Sequence, residues 1–454
     1  MRVLVVGLAR TGVATADFCV AHNAIVTATE WRKEAELGDI PAKLRDSNVS
    51  LELGGHTEKT FLAQDLIIPS PGVRADDPFL VAARAKGITI WSEIELAYRF
   101  LNGKLIGITG SNGKTTTTTL VHHILKSAGV ETIMAGNVGT PLISVVEKLT
   151  SNTVAVVELS SFQLELIETF RPDIGVLLNL TPDHLDRHKI LEAYGAAKAR
   201  LFENQTELDA AVLNLDKPLA RQIAPAKSQI FWFSRRQGVA QGACVRGEDI
   251  LVLRGKTEEF VMKLREIPLP GTHNVENVLA AVTAARLAGV DANKIGDAVR
   301  SFKGVEHRLE FVAEIGGVLY YNDSKATNVD ATLKALDAFP GRILVILGGK
   351  DKGSDYTVLR EPLREKAILV LLIGAAAEKI ESQITGSVTT ERAGTLDYAV
   401  QMASRSAQPG DIVLLAPACA SFDQFQNFEQ RGQIFKDLVR GIDQRTVGRS
   451  AGKE

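Results

Sequence analysis

The sequence predicts an α/β fold in three domains, and three observations carry that expectation. A chain of 454 residues is too long for one hydrophobic core, so a division into about three units of roughly 150 residues follows. Apolar runs of the buried-strand type alternate with segments of helical character, the arrangement that builds parallel sheets. Three of these runs open onto a glycine-bearing segment, dividing the chain into residues 1–93, 94–301 and 302–454.

The first domain opens with RVLVVG, a strand and a turn. A helix, LARTGVATADFCVAH, and a second strand, AIVTATE, follow at parallel-sheet spacing. Gly7-Leu8-Ala9-Arg10-Thr11-Gly12 is close to the dinucleotide fingerprint, and Glu30 ends the next strand where a ribose-binding acid would sit. The domain is therefore expected to be Rossmann-like, and NAD is a ligand to weigh. Ala9 replaces the glycine that lets a pyrophosphate approach, which favours a generic nucleotide-binding or structural turn. Further on, DLIIP leads into Ser70-Pro71-Gly72, a rigid turn suited to the rim of a cleft, although a plain Pro-Gly loop has the same composition.

The second domain begins at KLIGITGSNGKTTTTT: a strand, a tight turn and a helix opened by Lys114. Gly110 and Gly113, flanking Ser111 and Asn112, let backbone amides converge on phosphate oxygens. Lys114 adds a mobile positive charge and Thr115 a hydroxyl for a phosphate-bound Mg²⁺. Thr116 lies in the same first turn, where the helix field favours anions. The usual pattern G-x-x-x-x-G-K-[ST] would need glycine at 108, and this chain has Ile108. A central P-loop ATPase-type domain on a parallel or mixed sheet is the expectation. Its further strands are TVAVVELS and DIGVLLNL, and NVENVLAAVTAARLAG is a late helix.

Glu158 closes the first of those strands, and His184 follows the second within TPDHLDRH. Both positions lie at carboxyl ends of strands, where open α/β sheets bind ligands. Together they could hold Mg²⁺, although a hard ion prefers oxygen. Asp183, Asp186, Arg187 and His188 are expected to cap and solvate the next helix. Lys198, in EAYGAAKARLFE, reads by itself as a solvated helical lysine, because burying an ammonium is costly.

The third domain carries GRILVILGG, KAILVLLIG and DIVLLAP, which alternate with helical segments as a second Rossmann-like unit would. HRLE at 307–310, YNDSKATN at 321–328 and ACASFDQFQNFEQRG at 418–432 are too dense in functional side chains to be core. They read as polar sites delivered by a rigid scaffold.

A net charge of −2 with both signs well mixed provides no basic face for nucleic acid. No segment reaches about 18 consecutive apolar residues, and glycines interrupt the apolar N-terminus where a signal peptide would be unbroken. Cys19, Cys244 and Cys419 match no zinc spacing and fit a reducing cytosol. The expectation is a soluble cytoplasmic protein acting on small molecules, without nucleic-acid or membrane partners.

The words TGSNGKT, GNVGTP, VELSSFQLE, DHLDRH, AAKARLF, GTHNVEN, EHRLE, NDSKATN and ACASFDQF occur in this order over most of the chain. Together they resemble the Mur ligase superfamily, whose ATP-dependent enzymes join amino acids to cell-wall precursors or glutamates to folates. Within it, the branch that adds D-glutamate is the best match. The resemblance implies a monomer that closes around ATP, UDP-N-acetylmuramoyl-L-alanine and D-glutamate and forms an amide through an acyl phosphate.

By the same resemblance, the loop from Gly110 to Thr116, with Lys114, would hold the ATP phosphates. Thr115 and Glu158 would bind one Mg²⁺; His184 and a carbamylated Lys198 would bind a second. Asn277, Arg308 and Asp323 would hold the adenosine part. Asn137 and Ser160 would face the UDP-linked substrate, with Ser70, Pro71 and Gly72 along its diphosphate. Thr327, Lys352, Ser421 and Phe428 would hold glutamate. Glu30, Trp31 and Arg32 stand where the family usually has an Asp-Thr-Arg-like triplet against uridine. The rivals are a superfamily ligase with another amino acid, L-glutamate or a folate substrate; a non-catalytic ATP switch, against which Glu158, His184 and Lys198 together argue; and a nicotinamide oxidoreductase.

Overall fold

The computed structural model describes residues 1–181, 185–225 and 227–450. Its strands form three sheets. The first contains β1 (Arg2–Val6), β2 (Ile25–Glu30), β3 (Ser50–Leu53), β4 (Leu66–Pro69) and β5 (Thr89–Ile90) in the order β3-β2-β1-β4-β5. Every pairing is parallel, as the Rossmann-like expectation requires.

The second sheet has nine strands: β6 (Lys104–Thr109), β7 (Thr132–Gly136), β8 (Val154–Glu158), β9 (Ile174–Leu177), β10 (Ala210–Asn214), β11 (Gln229–Ser234), β12 (Gln241–Arg246), β13 (Asp249–Arg254) and β14 (Thr257–Lys263). In space they run β14-β13-β12-β11-β10-β9-β6-β8-β7. Residues of β8, β9 and β10 are buried throughout, which explains their unbroken apolar runs. The far edge, β12 to β14, is antiparallel, so the sheet is mixed. Its turns, Gly247-Glu248 and Gly255-Lys256, are two-residue hairpin connections with glycine first, a signal that was legible in the sequence.

The third sheet contains β15 (Glu310–Ile315), β16 (Val318–Asn322), β17 (Ile343–Gly348), β18 (Ala367–Ile373), β19 (Thr390–Gly394) and β20 (Ile412–Leu415), ordered β15-β16-β20-β17-β18-β19. It is parallel except for the β15–β16 hairpin, which pairs antiparallel across Gly316-Gly317. The hairpin adds an antiparallel edge to an otherwise parallel, Rossmann-like sheet.

The chain forms two compact units: Met1–Ile267 with Val275–Phe302, and Pro268–Asn274 with Lys303–Glu454. The first unit contains both the first and second sheets. One apolar cluster runs from Val3 and Val5 through Ile94 and Leu96 to Leu142, Ile143 and Leu177. Within helix Glu93–Tyr98, the Glu95 carboxylate accepts the amides of Glu168, Thr169 and Phe170 and the Thr169 hydroxyl. Its neighbour Glu93 accepts the Ile143 amide at 2.7 Å. These two buried carboxylates fix the first sheet's last helix against the second sheet.

Candidate functional site

The phosphate loop lies between β6 and helix Lys114–Ser127. Ile108 is still in the strand, paired with Glu158 of β8 on one side and Val176 of β9 on the other. The turn starts only after Thr109, so a glycine at 108 has no function here. Gly113 caps the helix at φ +84°, where a Cβ would approach Asn277 Oδ1 to 2.2 Å. Asn277 therefore rests on the loop itself. Ser111 and Asn112 are braced from behind: the Ser111 amide donates to Asn179 O, the Asn112 amide to Asn179 Oδ1, and Ser111 Oγ to Thr181 O. Lys114 Nζ folds across the loop, donating to Gly110 O and Ser111 O at 2.9 Å each.

Around this loop the ends of three strands deliver polar groups. Glu158 closes β8 and is buried; its Oε1 accepts Asn137 Nδ2 at 3.1 Å. Glu158 Oε2 and Thr116 Oγ1 are also buried, and neither has a hydrogen-bond partner among the described residues. Thr115, adjacent to Thr116, is buried as well. An orphaned carboxylate oxygen next to a phosphate-type loop fits Mg²⁺, a hard ion that takes one or two protein oxygens and completes its shell from phosphate and water. The described residues contain no group of three or more His, Cys, Asp or Glu that could form a dedicated metal cage. His184 and Asp183 lie outside the described residues.

Lys198 departs from the solvated reading of its sequence. It is 1% exposed on helix Leu191–Ala199, with Nζ 3.2 Å from Thr109 Oγ1 and 4.7 Å from the centre of the Tyr194 ring. Thr109 in turn donates to Leu159 O. The lysine is therefore attached to the strand end that launches the phosphate loop.

Ser160 caps helix Ser161–Leu164 in a reciprocal box with Gln163, two residues past Glu158. Ser70 follows β4, and its Oγ donates to Gly7 O. Pro71 and Gly72 follow in a turn closed by the Val73 amide on Ser70 O. Arg187 and His188, expected to cap and solvate a helix, do neither. Arg187 donates to Pro71 O and Val73 O at 2.9 Å and to Glu165 at 2.7 Å, with its guanidinium over the Phe162 ring. His188 is buried against Ser161 Oγ. A run of alternating charges gave no hint of these partners. Glu30 also differs from a free ribose ligand: its carboxylate accepts the Leu8 amide and Arg32, which hold it at about 2, below the usual carboxylate range, against the opposing effect of desolvation.

In the second unit, Arg308 and Asp323 lie together. The Leu309 amide reaches Asp323 Oδ1 at 3.3 Å, and burial raises the Asp323 carboxyl to about 6 while the Arg308 charge opposes the rise. Arg308 Nε is buried without a partner among the described residues. His307 and Leu309 have φ of +63° and +42°, strain of the kind stored at ligand sites. Thr327, Lys352 and Ser421 sit on loops that follow β16, β17 and β20, three neighbouring parallel strands. Ser421 is buried and Lys352 exposed. Phe428 starts helix Phe428–Ser450; its carbonyl accepts Ser324 Oγ, and Lys325 Nζ lies 5.7 Å over its ring.

Family comparison matches residues 1–92 to the Mur ligase MurD-like N-terminal domain, 108–285 to the Mur ligase middle domain and 307–419 to the Mur ligase glutamate ligase domain. The UDP-N-acetylmuramoylalanine–D-glutamate ligase of Acidobacterium capsulatum is 56% identical over 442 residues, 96% of each chain. The chain belongs to the Mur ligase family. The ligase of the same name from Koribacter versatilis is 54% identical to this Mur ligase over 97% of both chains. Among solved structures, UDP-N-acetylmuramate–alanine ligase from Thermotoga maritima aligns with a TM-score of 0.59 and 19% identity over 97% of this chain and 99% of that one. The Thermotoga maritima MurF ligase in complex with ADP also gives 0.59, at 17% identity over 83% and 90% of the two chains. At such identities the Mur ligase fold is what is shared.

Proposed function

We propose that the chain joins D-glutamate to UDP-N-acetylmuramoyl-L-alanine at the expense of ATP, releasing ADP and phosphate, in peptidoglycan precursor synthesis. Identity of 44–56% over nearly the whole chain to ligases of that name carries the reading. Residues 1–93 take the UDP-linked substrate, 94–301 take ATP and 302–454 take glutamate. One chain supplies every assigned residue, which supports a monomer. The three unpaired cysteines suit the reducing cytoplasm, and no described helix is long and apolar enough to cross a membrane.

A carboxylate is a poor electrophile, and water destroys its activated forms, so activation belongs in a closed site. An oxygen of the alanyl carboxylate attacks the γ-phosphorus of ATP in line, the bond to the β-phosphate oxygen breaks, and ADP leaves an acyl phosphate. Lys114 moves from the carbonyls of Gly110 and Ser111 to the transferring group and stabilises its spread charge. The glutamate amine then attacks the acyl carbon, loses a proton and expels phosphate. Asn277, Arg308 and Asp323 hold the adenosine part. Asn137, Ser160 and the Ser70–Gly72 turn hold the UDP-linked substrate. Thr327, Lys352, Ser421 and Phe428 hold glutamate.

Thr115 and Glu158 would hold Mg²⁺, which draws charge off the phosphates. His184 and a carbamylated Lys198 would hold a second ion. Burial of Lys198 supports the carbamate: the ammonium gives up one proton to become an amine, the amine adds CO₂ and gives up a second, and an oxygen-bearing anion replaces a desolvated ammonium. The acyl phosphate is tested by labelling the alanyl carboxylate with ¹⁸O. One labelled oxygen in the released phosphate is expected; unlabelled phosphate from a turning-over enzyme would reject the intermediate.

A further inference from the structure

Arg431, on helix Phe428–Ser450, has no exposed surface. Nε donates to Ser324 Oγ at 2.9 Å, Nη2 to Ser324 O at 2.8 Å, and both Nη atoms reach Cys419 O at 3.2 Å. Every one of these acceptors is neutral. No carboxylate among the described residues accepts a hydrogen bond from it; Asp423 acts on it only through space. Burial lowers its pKa to about 10, so it stays charged at neutral pH. A buried cation satisfied by neutral oxygens alone is costly, and the cost is offset when an anion binds nearby.

Three loops converge on this guanidinium. Ser324 lies beyond β16, Cys419 beyond β20, and Gly349 beyond β17, where a Cβ would come within 3.3 Å of Arg431 Nη1 and 2.3 Å of Ala420 O. The last two loops are joined by paired backbone hydrogen bonds between Lys350 and Ala420, at 2.8 and 3.2 Å. Thr327, Lys352 and Ser421 follow Ser324, Gly349 and Cys419 by two or three residues. The carboxyl ends of adjacent parallel strands are where such sheets bind ligands.

We infer that Arg431 is a positioning residue for the amino-acid substrate: its hydrogen bonds hold the loops after β16 and β20 in one register beside the Gly349 loop, and its buried charge favours a dicarboxylic amino acid. The inference rests on the reading of this unit as the glutamate-binding part. Arg431 itself touches loop oxygens, and Thr327, Lys352 and Ser421 face the substrate.

The test is a steady-state comparison of wild type with Arg431→Met, Arg431→Lys and Ser324→Ala, measuring KM for D-glutamate, ATP and the UDP-linked substrate. Arg431→Met should raise the glutamate KM at least tenfold and leave the other two within twofold. Arg431→Lys keeps the charge but loses the planar fork, and should recover part of the loss. Ser324→Ala keeps the charge and removes one acceptor; a rise of a few-fold is expected, again for glutamate alone. If Arg431→Met does not fold, the other two variants decide. An unchanged glutamate KM in both, or equal rises for all three substrates, overturns the inference. A wild-type enzyme that makes no product with D-glutamate overturns instead the functional reading beneath it.

Discussion

Lys114 is held by two carbonyls of its own loop, contacts it would exchange for phosphate oxygens in the proposed role. Lys114→Ala removes the mobile charge and leaves the loop's braces at Asn179 and Thr181 in place. Turnover should drop roughly 100- to 1000-fold, as loss of one transition-state donor typically does, at an unchanged melting temperature; a loss below about tenfold would deny the role. Lys198→Ala should likewise be inactive and should regain activity with short carboxylic acids, whose oxygens would stand in for those of the proposed carbamate. Failure of rescue in a folded variant counts against the carbamate. Glu93 makes a pH prediction. Burial raises its carboxyl to about 7, so the folded state binds the proton more tightly than the unfolded chain. Its contribution to stability is full below about pH 4.5 and disappears as pH rises through about 7, a swing on the order of 3 kcal/mol. Glu93→Gln should melt higher than wild type at pH 8 and level with it near pH 4.5. A constant difference across that range would contradict the assignment.

At the level of elements, the loop–helix junction at Gly113 concentrates the constraint. Its positive φ and its approach to Asn277 together exclude a side chain, so Gly113→Ala must displace either the loop or Asn277. The KM for ATP should rise tenfold or more while the KM for glutamate stays within twofold; an unchanged ATP KM would show that the junction tolerates a Cβ. Strands with both faces buried were legible from their apolar runs, because burial on both faces leaves no other pattern. The mixed central sheet was expected, but the places of its antiparallel edge and of the β15–β16 hairpin were not read, although Gly247, Gly255 and Gly316-Gly317 mark their turns. Lys198 was readable only by resemblance: its burial comes from Tyr194 and Thr109, which only tertiary packing brings to it. The partners of Arg187, His188 and Arg431, among them the Pro71 carbonyl, Ser161 Oγ and Ser324 Oγ, could not be read from the sequence because only tertiary packing brings them together.

For the whole molecule, three glycine-bearing openings suggested three α/β units, and the strands of the described residues form three sheets. Their grouping was not legible, since the core shared by the first two depends on Ile94, Leu142 and the buried Glu93 and Glu95, ordinary residues in sequence. Each of the three sheets brings candidate residues to the carboxyl ends of its strands. Product formation tests the proposed ligation directly. The purified protein is given ATP, Mg²⁺ and UDP-N-acetylmuramoyl-L-alanine with D- or L-glutamate, and the UDP-linked product and ADP are quantified. One ADP per new amide is expected with D-glutamate, and no amide with L-glutamate. ATP hydrolysis without amide, or amide formed equally from both enantiomers, would contradict the proposed ligation.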